Sequence, residues 1–91
     1  MAVTVRIPTT MRPLAGGATT VEVEAGTLSD VIKALDHAHA GLAQRLLDDD
    51  GALRRFVNVF VDDDDVRYLN GLDTPVPDGQ TVSIIPAVAG G

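Results

Sequence analysis

Thr81-Val82-Ser83-Ile84-Ile85-Pro86, running into Ala87-Val88-Ala89-Gly90-Gly91, is the stretch on which the fold turns. Its first six residues alternate. Val82 and Ile84 point one way and Thr81, Ser83 and Ile85 the other, the period of a strand with one face buried. Pro86 closes the alternation, and Ala87–Gly91 carries no strand or helix period of its own.

Working outward, the rest of the chain must supply neighbours for that strand. Val3, Val5 and Ile7 alternate with Ala2, Thr4 and Arg6 up to Pro8, and Val21 and Val23 alternate with Thr20, Glu22 and Glu24. These periods predict an antiparallel hairpin of Val3–Ile7 with Thr19–Glu24, joined by a long, loose connection through Gly16-Gly17. Gly26 breaks the second strand, and Thr27 is a good N-cap with Asp30 three residues on, a shortened form of the capping box. Leu28, Val31, Ile32 and Leu35 then recur at helical spacing. The helix is expected to fade near Ala38–Gly41, with a second short helical turn at Leu42, Leu46 and Leu47. After the polar loop Asp48-Asp49-Asp50-Gly51, Phe56 to Val61 is the most strand-like run: Val57, Val59 and Val61 on one face, Phe56, Asn58 and Phe60 on the other. Asp62–Asp65 reads as a turn into a short strand at Val66–Tyr68. Gly71-Leu72-Asp73 and Pro77-Asp78-Gly79 punctuate the return to Thr81.

The first and last strands can pair in parallel at the centre of one sheet, because the helix-containing middle supplies the long crossover that parallel pairing needs. This is an α+β arrangement, the β-grasp: a mixed sheet of four to five strands with one main helix packed on one face. Residues 1–86 are expected to form one domain and 87–91 a flexible C-terminal tail. The length of 91 residues allows a single core, and a chain of this size hides roughly 60% of its unfolded surface.

Composition narrows the function. With no cysteine, the chain has no disulfide, no thiolate metal site and no thiol nucleophile. Met1–Arg6 lacks the basic segment and apolar run of a signal peptide, and no stretch has the length of a membrane span; the expected location is the cytoplasm. Seven Lys/Arg against thirteen Asp/Glu, a formal net charge of −6, argue against nucleic acid, which needs a cationic face. An acidic chain suits basic grooves on protein partners.

The candidate reactive group is the Gly91 carboxylate. Two terminal glycines arise by chance in about one chain in 200 at ordinary glycine usage, so by themselves they fit an idle terminus equally well. Position adds weight, because they follow directly on a strand expected at the sheet centre. Five residues beyond Pro86 can span about 17 Å, enough for Ala87, Val88, Ala89 and Gly90 to thread a partner's channel. Without a Cβ, Gly91 leaves its carbonyl open to attack. A carboxylate is a poor electrophile until it is activated, for instance as an acyl-adenylate. The chain has neither GxxxxGK nor a GxGxxG opening a helix, so activation falls to a separate enzyme.

Other candidates carry less. Consecutive Asp62–Asp65 lack the spacing of a calcium loop. His37 and His39, two apart, do not share a helix face. Ser29 and Ser83 have no nucleophile-elbow context. No metal site is expected. Phe60 and Ile85 should share the face of the sheet away from the helix, and with Pro8 they form a candidate docking patch beside the tail exit. Arg54-Arg55 is a candidate for pairing with carboxylates of a partner or of the acidic loops.

Several runs resemble the ubiquitin-like sulfur carriers of the MoaD/ThiS superfamily, and most of all the CysO-type branch that serves cysteine synthesis in actinobacteria. They are Val3-Thr4-Val5-Arg6-Ile7-Pro8-Thr9 with Arg12-Pro13, Arg55-Phe56-Val57-Asn58-Val59-Phe60-Val61, Asp65-Val66-Arg67 and, most specific, Asp78 to Gly91. The resemblance implies a protein co-substrate and not an enzyme. Gly91 would be adenylated by an E1-like adenylyltransferase/sulfurtransferase using ATP and Mg²⁺, then converted to a thiocarboxylate. The sulfur would pass to a PLP-dependent cysteine synthase, and a metallopeptidase would release cysteine. No cofactor would be bound by this chain itself. Sulfur donation to molybdopterin, thiamin, a thiosugar or another metabolite, and ubiquitin-like protein modification, are the alternatives.

Overall fold

The computed structural model describes residues 2–86. Its elements, in order, are β1 (Ala2–Arg6), β2 (Thr20–Glu24), β3 (Gly26–Thr27), α1 (Leu28–Ala38), α2 (Leu42–Leu46), β4 (Val57–Val61), β5 (Asp64–Asp65), β6 (Pro75–Val76) and β7 (Thr81–Pro86). Among the described residues the main sheet has the order β2-β1-β7-β4-β5. β7 lies parallel to β1, with Val5 opposite Val82, and antiparallel to β4, with Val59 opposite Ile84. The expected β-grasp, with the first and last strands parallel at the centre, is therefore the fold observed.

One face of the sheet makes the core. Val3, Val5, Val59 and Val82 are at most 1% exposed, and they meet Leu28, Val31, Ile32 and Leu35 of α1, all buried as the helical spacing requires. Leu42 and Leu46 of α2 close the same cluster. Burial of each such side chain stabilises the fold by roughly 1.5–3 kcal/mol.

Local chemistry fixes the start of α1. The Asp30 backbone N–H donates to Thr27 Oγ1 at 3.2 Å, and the Thr27 N–H donates back to Asp30 Oδ2 at 3.1 Å. Aspartate thus completes the reciprocal box that glutamate more often makes. These hydrogen bonds from Thr27 hold the Asp30 carboxyl below its ordinary value. Gly26 fits because a Cβ there would come within 2.9 Å of Asp30. The next helix is positioned by Asp36, whose Oδ1 accepts from the N–H groups of Gly41 and Ala43. Gly41 turns the chain at φ 102°.

Two expectations need correction, and one further element appears. The connection between β1 and β2 is not loose: Thr9–Ala15 forms a 3₁₀ helix with Met11 and Ala15 buried, and Arg12 Nε donates to Ile7 O at 3.1 Å. The short strand beside β4 is Asp64–Asp65, pairing with Phe60 and Val61, while Val66–Tyr68 is a 3₁₀ turn capped by Asp65. A strand would put Val66 and Tyr68 on one face, yet Val66 is fully buried and Tyr68 is 88% exposed. The turn separates them. Finally, β3 and β6 form a two-stranded ladder at the entrance to α1, which the sequence reading did not anticipate.

Candidate functional site

Ala87, Val88, Ala89, Gly90 and Gly91, expected to carry the chemistry, lie outside the described residues. What the structure describes is the platform from which they continue. β7 is bonded to β1 over its first half, Thr81, Val82 and Ser83, and to β4 from Val82 to Pro86, which stands opposite Val57. A strand paired on both edges has its backbone direction fixed by two ladders.

The face of the sheet opposite α1 carries the candidate docking residues. Alternation places Thr81, Ser83 and Ile85 of β7 there, with Asn58 and Phe60 of β4. Ile85 is 49% exposed, whereas Phe60 and Pro8 are half-buried. Ile85 stands opposite Asn58 and Ser83 opposite Phe60, so Phe60 and Ile85 are diagonal neighbours, a relation that spans about 7–8 Å between Cα atoms. Pro8 and Ile85 line one groove together with Arg6, Arg12 and Ser83. Pro8 and Ile85 thus border one groove, and Phe60 lies one diagonal from Ile85.

Further groups also border this site. Arg67 reaches back from the turn after β5: Nη1 donates to Asn58 Oδ1 at 2.7 Å and Nη2 to Arg54 O at 2.9 Å. It therefore sits beside Ile85 across the register. Phe56, 62% exposed, has the Arg55 guanidinium 5.7 Å from its ring centroid, within cation–π range. A second groove, holding Arg45, Arg54 and Met11, includes Pro86 itself. The sequence already offers the Arg54-Arg55 pair and sets Phe56 on the face of Phe60; Arg67 acquires its place only through the Asp65 turn.

The aspartate run has structural work. Asp62, at φ 53°, accepts the Thr81 N–H at 3.0 Å, tying the β4–β5 turn to the start of β7. Asp65 accepts the Arg67 N–H at 2.8 Å. Among the described residues, no group of three or more His, Asp or Glu is placed to hold a metal ion. No helix there is long and apolar enough to cross a membrane.

Comparison with known proteins agrees with this geometry. Residues 5–91 match the model of the ThiS family. The sulfur carrier protein CysO of Mycobacterium tuberculosis is 48% identical over 93 residues, covering all of both chains. In the crystal structure of the Amycolatopsis orientalis BexX/CysO complex, a chain 47% identical superposes with a TM-score of 0.93, covering 99% of this chain and 100% of that one. The crystal structure of Mycobacterium tuberculosis CysO matches with a TM-score of 0.90 at 46% identity, over 94% of this chain and 99% of the other.

Proposed function

Because this chain belongs to the ThiS family, we propose that it is a sulfur carrier protein of cysteine biosynthesis, with the Gly91 carboxylate as the group activated and loaded. The observation that carries this reading is full-length similarity, at 48% identity, to a protein named for sulfur carriage. The central, doubly paired β7 supports it, because its continuation is the pentapeptide that ends in Gly90-Gly91.

The chemistry divides between this chain and its partners. A Gly91 carboxylate oxygen attacks the α-phosphorus of ATP on an E1-like adenylyltransferase, and pyrophosphate leaves. The product is a mixed anhydride of Gly91 and AMP. Hydrosulfide delivered by the sulfur donor then adds to the Gly91 carbonyl, the carbon–oxygen bond to AMP breaks, AMP departs with that electron pair, and the S–H proton is lost to solvent. A terminal thiocarboxylate remains. Glycine leaves both faces of this carbonyl unobstructed, and Ala87–Ala89 are small enough to pass through a narrow channel. ATP and Mg²⁺ belong to the activating enzyme. On a PLP-dependent cysteine synthase the thiocarboxylate sulfur would bond to the β-carbon of the amino-acid acceptor, whose β-substituent leaves. The Gly91 acyl group then shifts from sulfur to the nitrogen of the new cysteine, and a metallopeptidase hydrolyses that amide, releasing cysteine and restoring the Gly91 carboxylate. The chain is a co-substrate throughout, docking through Ile85, Phe60 and Pro8.

The test is reconstitution. With the E1-like enzyme of the same organism, pyrophosphate exchange into ATP should require this chain and disappear when Gly91 is deleted. Exchange that persists with the deletion would refute the assignment of Gly91.

A further inference from the structure

The net charge of −6 conceals a basic working end. Of the seven lysines and arginines, every one but Lys33 lies around the end of β7. Arg6 and Arg12 line the groove that contains Ile85. Arg45 and Arg54 line the groove that contains Pro86. Arg67 is bonded to Asn58, the register partner of Ile85. Arg55 precedes Val57, the register partner of Pro86, by two residues and lies over the exposed Phe56. Among the described residues, neither groove is lined by a carboxylate.

Asp48 and Asp49 share a concavity with Arg54, and Asp48 Oδ1 accepts the N–H groups of Asp50 and Ala52. Asp65, opposite Phe60, accepts from Arg67 N. Three of the six guanidiniums are held: Arg12 donates to Ile7 O, Arg54 to Gln44 O at 2.8 Å, and Arg67 to Arg54 O. Cations flanking both Ile85 and Pro86, half of them held by hydrogen bonds, have the form of a protein-docking surface, apolar at the centre with a charged rim.

We propose that this arginine collar docks on a rim of aspartate and glutamate side chains around the mouth of the channel in the enzyme that activates Gly91. The local sign is opposite to what the whole-chain charge suggests. The separation of charge also orients the carrier: the acidic remainder is repelled by an acidic rim, so the molecule approaches β7-end first. This partner assignment rests on the sulfur-carrier reading, and the surface itself does not.

Two measurements separate them. Arg12, Arg54 and Arg67 support the fold through backbone carbonyls, so the pair to reverse is Arg45→Glu with Arg55→Glu, checked for an unchanged melting temperature. With the E1-like enzyme, the double variant should raise KM for the carrier about tenfold at low salt with kcat nearly constant, as loss of rim charge acts on encounter. The wild-type KM should rise with ionic strength, and Lys33→Glu should match wild type. An unchanged KM in the double variant, or an equal effect from Lys33→Glu, would overturn the acidic rim. In the second measurement, a ten-residue polyglutamate peptide is titrated into the ¹⁵N-labelled full chain. Amide shifts should concentrate at Arg6, Arg12, Arg45, Arg54, Arg55 and Arg67. Shifts spread evenly or centred on α1 would overturn the collar, whether or not Gly91 is ever adenylated.

Discussion

Truncation of Ile85 to alanine is the sharpest perturbation of the docking face. Ile85 is 49% exposed, so about half of its side chain is available for a partner to cover. Full burial of such a side chain contributes roughly 1.5–3 kcal/mol, and half of that, about 0.8–1.5 kcal/mol, is the most its removal can cost in binding. At 1.4 kcal/mol per tenfold, Ile85→Ala should raise KM for the activating enzyme about 4- to 12-fold. The assay is pyrophosphate exchange at varied carrier concentration, with kcat read at saturation. Because the lost contact is apolar, the ratio of variant to wild-type KM should hardly change between low and moderate salt, unlike that of the arginine variants. The buried half still packs against its neighbours, so the melting temperature should fall modestly and the fold should survive. A folded variant with KM within twofold of wild type would refute docking through Ile85. A fall in kcat at constant KM would place the residue in positioning the tail instead.

The remaining expectations concern the helix cap. Thr27→Ala removes the acceptor for the Asp30 N–H and should cost about 1 kcal/mol in urea unfolding, with α1 still formed; no measurable change would mean that the box contributes nothing. The Asp30 carboxyl is held below its ordinary value of 3.8 by its hydrogen bonds to Thr27. A group lowered on folding adds stability above its unfolded value, and that stability is lost as pH falls through the folded one. Asp30→Asn should therefore flatten the fall of urea midpoint with pH below about pH 4 relative to wild type. Parallel acid limbs in the two proteins would contradict this.

The long periodic segments were legible because one physical cause sets both sequence and structure there. The alternation of Val82 and Ile84, of Val57, Val59 and Val61, and the helical spacing of Leu28, Val31, Ile32 and Leu35 all record which face is buried. Short elements were less legible because side chain-to-backbone bonds decide them. Asp65 stops a strand by capping a turn, and Arg12 steadies a segment that its glycines suggested was loose. The ladder between β3 and β6 brings together residues about fifty apart, Gly26 opposite Val76, each too short a run to show a period. On the site, alternation placed Ile85 and Phe60 on the correct face. The arginine collar was invisible because its members come from five separate segments, and total charge points the other way.

The most direct measurement is the intact mass of the protein purified from its native cells under conditions that preserve thioacids, with fragmentation to locate any change. Sulfur in place of one oxygen at Gly91, lost when a cysteine synthase and its substrate are added, is the result expected of a sulfur carrier in cysteine biosynthesis. An unchanged Gly91 in cells that are making cysteine, or a ladder of conjugates joined to lysines of other proteins without any thiocarboxylate, would contradict it.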